Sequence, residues 1–160
     1  MPISADSAVD DVRSIIEDAL RVTGNVRSND APTLSGDTVA VSAVNGSAQG
    51  VSSQVFGLYG ILVLGANGAY EYRLNNSLDA VQSLGVGDTL DDVFTYAISD
   101  QTGASSKATL TITINGRNDG PIVVHEAPIA DEDGPPASGN ALAKDFDREG
   151  DDLTVTAVAR

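Results

Sequence analysis

The sequence predicts an all-β protein: a β-sandwich of about seven strands over residues 5–117, a linker at 118–121, and the truncated N-terminal part of a second copy over 122–160. Three observations predict it. Residues 108–114 alternate strictly, with Ala108, Leu110, Ile112 and Ile114 on one side and Thr109, Thr111 and Thr113 on the other, the period of a half-buried strand. Runs rich in β-branched and aromatic residues recur at short spacing with turn signals between them, which is how a sandwich reads. Finally, Glu17 and Asp18 recur as Glu132 and Asp133, Gly24 and Asn25 as Gly139 and Asn140, and Asp30 as Asp145, each 115 residues on. A repeat unit of that length is a whole domain in a tandem array.

In chain order, Val9, Val12, Ile16 and Leu20 or Ala19 would also mark one face of a short helix, but the repeat argues for a strand there. Leu20 to Val22 follow as strand, residues 24–37 as loop, and Thr38 to Val44 as the next strand, ended by Asn45 and Gly46. The clearest hairpin joins Tyr59–Leu64 to Ala69–Leu74 across Gly65, Ala66, Asn67 and Gly68. Its second arm points Tyr70, Tyr72 and Leu74 one way and Glu71 and Arg73 the other. Residues 77–89 connect, with a helical turn that places Leu78, Val81 and Leu84 under the sheets. Phe94 to Ile98 pairs with 108–114 through the Asp- and Gly-bearing turn at 99–104. Tyr70, Tyr72, Phe94, Tyr96, Ile98, Leu110, Ile112 and Ile114 are the predicted core. Residues 115–121 (NGRNDGP) are polar, turn-forming and end in proline, so they leave one domain for the next. After one deletion Gly36 and Asp37 return as Gly150 and Asp151, and the strand 38–44 returns at 153–158.

Composition excludes several functions. With 41% apolar residues but only three Phe, four Tyr and no Trp, small β-branched side chains must fill the core. A net charge of −14 repels phosphate backbones and anionic lipid, so no nucleic-acid partner is expected, and cations are the natural ligands. Without cysteine there is no disulfide, thiolate metal site or thiol nucleophile. Residues 1–6 have no basic or apolar signal region, and no apolar run reaches the ~18 residues of a membrane helix. Nucleophile-elbow, P-loop and zinc-protease motifs are absent, the lone His125 reads as a strand residue, and residues 85–90 (GVGDTL) read as a loop, so no enzyme is expected.

Residues 57–64 (GLYGILVL), 67–72 (NGAYEY), 81–84 (VQSL), 93–100 (VFTYAISD) and 112–121 (ITINGRNDGP), taken in order, resemble the cadherin-like, immunoglobulin-like repeats of giant bacterial surface proteins, in particular the VCBS repeats of secreted RTX-type adhesins. The resemblance implies a cadherin-like sandwich repeated in extracellular stalks, calcium at or near domain joints, and type I export. It makes the chain a spacer of a cell-surface or secreted adhesin, serving adhesion or biofilm formation, with neighbouring repeats of the same polypeptide as partners. The rival reading is a carbohydrate-binding sandwich module. Sugar binders expose an aromatic platform, whereas Phe56, Tyr59, Tyr70, Tyr72, Phe94 and Tyr96 mostly fall at core-facing positions.

Residues 145–152 (DFDREGDD) set a carboxylate at nearly every other position with a glycine for the turn, the arrangement a hard, oxygen-liganded cation needs. The same loop in the first copy, 30–37 (DAPTLSGD), lacks three of these carboxylates. Residues 126–152 hold nine carboxylates against Lys144 and Arg148, a self-repulsion that a cation relieves. The expected calcium ligands are Asn118, Asp119, Asp145, Asp147 and Asp151, with Glu17 reaching the same joint as the corresponding glutamate does in cadherin-like families. Residues 121–160 carry early strands without their partners, so they are expected to be mobile or to borrow a partner, including by strand exchange with another copy.

Overall fold

A computed structural model describes residues 7–30 and 38–158. The chain divides into two compact units, Met1–Arg117 and Asn118–Arg160.

Unit 1 is a sandwich of two four-stranded sheets. One holds β1 (Asp11–Ile16), β8 (Ser105–Asn115), β7 (Thr89–Ser99) and β3 (Ala40–Val44), in that order; the other holds β2 (Arg21–Asn25), β6 (Ala69–Leu74), β5 (Gly60–Leu64) and β4 (Gln54–Phe56). β1 runs parallel to β8, and the other ladders are antiparallel. The longest pairing is the β7–β8 hairpin. Its turn is made by the Asp100 carboxylate, which accepts hydrogen bonds from Thr102 N at 2.8 Å and Ala104 N at 3.0 Å, while Gly103 takes a φ of 86°.

Period-two alternation sends one face of each strand into the core. Phe94, Tyr96 and Ile98 from β7, Ala108, Leu110, Ile112 and Ile114 from β8, and Leu62, Leu64, Tyr70, Tyr72 and Leu74 from the opposite sheet are all buried in one cluster, which contains the whole predicted core. Tyr72 and Phe94 meet edge to face across the sheets at 6.1 Å. The short helix α1 (Asp79–Gln82) buries Val81 and, just after it, Leu84, with Leu78 partly covered, as the expected helical turn requires.

The strand reading of residues 9–20 is the one the structure takes, at Asp11–Ile16, where β1 finds a ladder on β8, and the helical alternative is not taken. Sequence reading and structure differ in three places. Gly24 and Asn25, read as loop, end β2, where a glycine is needed because a Cβ at 24 would overlap the Tyr70 ring. β4 was not expected, since three residues in a serine- and glycine-rich run carry no period, and it makes the described strands eight rather than about seven. In unit 2 the expected early strands are absent among the described residues, leaving one isolated bridge between Ile122 and Phe146. The physical reason is pairing: β1, β2 and β3 take their partners from β8, β6 and β7, whose counterparts are not among these 160 residues.

Local structure nevertheless repeats at the same spacing. Asn25 Oδ1 accepts Arg27 N at 2.9 Å, and Asn140 Oδ1 accepts Leu142 N at 3.0 Å. Asp30 Oδ1 accepts Val9 N at 2.9 Å, and Asp145 Oδ1 accepts Val124 N at 2.8 Å. These are the same two side-chain devices, 115 residues apart, and they form in unit 2 without a sandwich around them. Gly36 and Asp37 of the first-copy loop lie outside the described residues.

Three carboxylates outside the core tie stability to pH. Hydrogen bonds from Thr109 hold Asp10 below its ordinary value, the Thr102 hydroxyl and neighbouring N–H groups do so for Asp100, and Arg73 does so for Glu71. A depressed carboxylate stabilises the fold above its unfolded pKa and stops doing so as pH falls through its folded one. Asp11 runs the other way, raised by burial. The melting temperature of unit 1 is therefore expected to fall as pH drops below about 4. Asp100→Asn should remove part of that slope in a pH series of thermal melts.

Candidate metal centre

The loop 145–151 in unit 2 is built around one side chain. Asp147 Oδ1 accepts Glu149 N at 3.0 Å and Asp151 N at 3.3 Å, while Gly150, with a φ of 84°, lets the chain turn back. Asp145 fastens the loop to the segment after the linker through Val124 N. At the linker, Asn118 Nδ2 donates to the Asp119 carbonyl at 2.7 Å.

These residues converge. Asn118, Asp119, Asp145, Asp147 and Asp151, five of the six residues singled out from sequence, line one cavity of about 270 Å³ together with Asp152. No three acidic or histidine side chains among the described residues stand close enough to grip an ion as they are. The lining side chains are nonetheless the right kind for a hard cation: carboxylates and an amide, with none of the imidazole or thiolate that softer metals prefer. Burial, with the Asp147 carboxylate beside it, pushes Glu149 above the usual carboxylate range.

Glu17 has a different setting. It is 1% exposed at the end of β1, and its carboxylate accepts the backbone N–H of Arg117, which fastens the end of β8. Sequence reasoning also missed Asp92, equally buried on β7. Its carboxylate accepts Leu58 N and Tyr59 N, each at 3.0 Å, and the Tyr72 hydroxyl at 2.8 Å. It thus bonds one sheet to the other, and a Cβ at Gly57 would collide with it. The signal lay in the alternation, which places Asp92 on the inner face with Phe94 and Tyr96.

The aromatic side chains follow the core reading with one exception: Tyr70, Tyr72, Phe94 and Tyr96 are buried and Tyr59 is partly covered, whereas Phe56 is exposed at the end of β4. The family model of the bacterial cadherin-like domain matches residues 4–116, which is unit 1 almost end to end. The chain belongs to this family. No curated protein matches it. Among solved structures it is similar to a nucleoside hydrolase-related hypothetical protein from Saccharophagus degradans described as associated with carbohydrate metabolism. That likeness has 13% identity and a TM-score of 0.38, and covers 68% of this chain and 22% of the other. In the cadherin-like chain no helix of the described residues is long and apolar enough to cross a membrane.

Proposed function

We propose that this cadherin-like chain is a structural spacer from a large bacterial cell-surface or secreted adhesin, that calcium stiffens it, and that it has no catalytic task. The resemblance to VCBS repeats of RTX-type adhesins supports type I export, neighbouring copies of the repeat as partners, and a part in adhesion or biofilm formation. The observation that carries the calcium reading is the gathering of Asn118 and Asp119, from the linker, with Asp145, Asp147 and Asp151, from the acidic loop, around one cavity. An ion held there neutralises the carboxylates and fastens the linker to the copy it leads into. The 6–8 oxygen ligands of calcium suit this open set better than the tight octahedron of magnesium.

Calorimetric titration of the metal-free chain tests the proposal. Binding is expected in the ~10⁻⁴–10⁻³ M range of extracellular calcium modules, and it should disappear when Asp145→Asn and Asp147→Asn are combined. No heat up to several times that concentration, or an equal response from the double variant, would remove the site.

A further inference from the structure

We infer that Asp11 and Tyr96 form a proton-operated clasp at the entry end of unit 1: with Asp11 as a carboxylic acid the segment before β1 is fastened to both sheets, and loss of that proton loosens it. The Tyr96 hydroxyl, from β7, lies 2.9 Å from Asp11 Oδ2, 3.0 Å from Val9 O and 3.3 Å from Val26 O. Asp11 begins β1 and Val9 precedes it, whereas Val26 follows β2 of the other sheet. One oxygen thus joins three stretches of chain across the sandwich.

The hydrogens available decide which form of Asp11 fits. A hydroxyl carries a single hydrogen, and here three acceptors surround it. With Asp11 ionised, the phenol serves the carboxylate and turns its lone pairs on the two carbonyl oxygens. With Asp11 protonated, the acid donates to the phenol and the phenolic hydrogen goes to Val9 O or Val26 O, so the same four oxygens share two bonds instead of one. Tyr96 is 2% exposed and Val26 is fully buried, which leaves the protein to supply the hydrogens.

The groups that act most on Asp11 are neutral or negative. Burial raises it above the ordinary aspartate value, and Asp30 and Asp10 add to the rise. Asn29 opposes it, as does the bond that Tyr96 gives the ionised form, but the phenol gives that bond only by withdrawing its hydrogen from the carbonyls. Asp30, in the loop after β2, spends Oδ1 on Val9 N, and its other oxygen is buried without a hydrogen-bond partner among the described residues. From β8, Thr109 holds Asp10, and Lys107 lines a groove with that same Asp10. From β6, Tyr70 feels both Asp11 and Arg13, while Arg27, next to Val26, lies against Gly68. Burial and Asp11 hold Tyr96 well above the phenol range, so of the two only Asp11 changes charge. A carboxyl raised in the folded state stabilises below its unfolded pKa, and that contribution is lost as pH rises through its folded one. Ionised Asp11 then stands beside Asp10 and Asp30, and the like charges push the entry segment away.

Carbon-13 NMR of the Asp11 carboxyl in the metal-free full chain tests this, followed over pH in the parent and in Tyr96→Phe. The parent's midpoint should lie above the ~3.9 of an ordinary aspartate. In Tyr96→Phe the acid loses its acceptor, so the midpoint should fall; a phenol that donates to the carboxylate would make it rise instead, and a rise overturns the inference. Asp11→Asn supplies the hydrogen from its amide at every pH. Its urea midpoint should therefore gain on the parent's as pH climbs through the Asp11 titration, and a constant difference overturns the inference even if Tyr96→Phe fails to fold. Several millimolar calcium should leave the parent's Asp11 midpoint in place. A shift to lower pH would mean that an ion, not a proton, meets the surplus of acceptors, and the clasp would be withdrawn.

Discussion

Ile112→Asp is expected to unfold unit 1. Ile112 is fully buried in the middle of β8, on the inner face of its sheet. Its antiparallel partner on β7 is Asp92, itself 1% exposed with its carboxylate's hydrogen bonds coming from Leu58, Tyr59 and Tyr72 across the sandwich. The substitution removes an isoleucine from the core and sets a second carboxylate directly across from the first, with Cβ atoms about 5 Å apart. An uncompensated buried charge next to a like charge costs at least about 4–5 kcal/mol, comparable to the whole stability of a small domain at ~5–15 kcal/mol. Circular dichroism should show loss of the cooperative β-sheet melt. A melt near that of the parent would mean that Ile112 does not face the core.

The second large effect is expected at Asp92 itself. Asp92→Ala leaves Leu58 N, Tyr59 N and the Tyr72 hydroxyl without their acceptor. Stranding buried donors costs about 1–3 kcal/mol each, so a loss of roughly 4 kcal/mol is expected in chemical denaturation. That corresponds to about 15 °C or more in Tm for a domain of this size. Tyr72→Phe alone should cost about 1 kcal/mol, since the carboxylate keeps two donors. Added to Asp92→Ala, the same change should cost nothing further or restore stability, because the hydroxyl it removes is already stranded. Strictly additive losses would show that the two side chains do not act on each other.

The contrast between these residues explains what could be read from the sequence. Ile112 was legible because alternation alone reports which side of a strand is buried, and residues 108–114 alternate without interruption. The β5–β6 hairpin was legible because Asn67 and Gly68 mark its turn; the glycine takes a φ of 85° there. Asp92 and Glu17 were not legible as fastenings. A carboxylate in a polar list reads as surface or ligand, and its burial depends on backbone donors from Leu58, Tyr59 and Arg117, far away in sequence. β4 was hidden for a related reason: its three residues are held by β5 and carry no pattern of their own. The acidic loop was legible as a set, since spacing and glycine gave Asp145, Asp147 and Asp151. The linker residues Asn118 and Asp119 join it through tertiary placement around the same cavity. The strands of the second copy were over-read, because sequence reports the inclination to pair but not the presence of a partner.

The claim that calcium orders the linker and the acidic loop is tested most directly by amide hydrogen exchange followed peptide by peptide, with and without several millimolar calcium. Without the ion, like-charged Asp119, Asp145, Asp147, Asp151 and Asp152 share one cavity, and the backbone around them should exchange readily. With it, peptides covering 118–124 and 145–154 should become protected, while those from β7 and β8 stay unchanged. The variant combining Asp145→Asn with Asp147→Asn should show no protection at all. Identical exchange with and without calcium across 118–158, or protection that survives in that variant, would contradict the account.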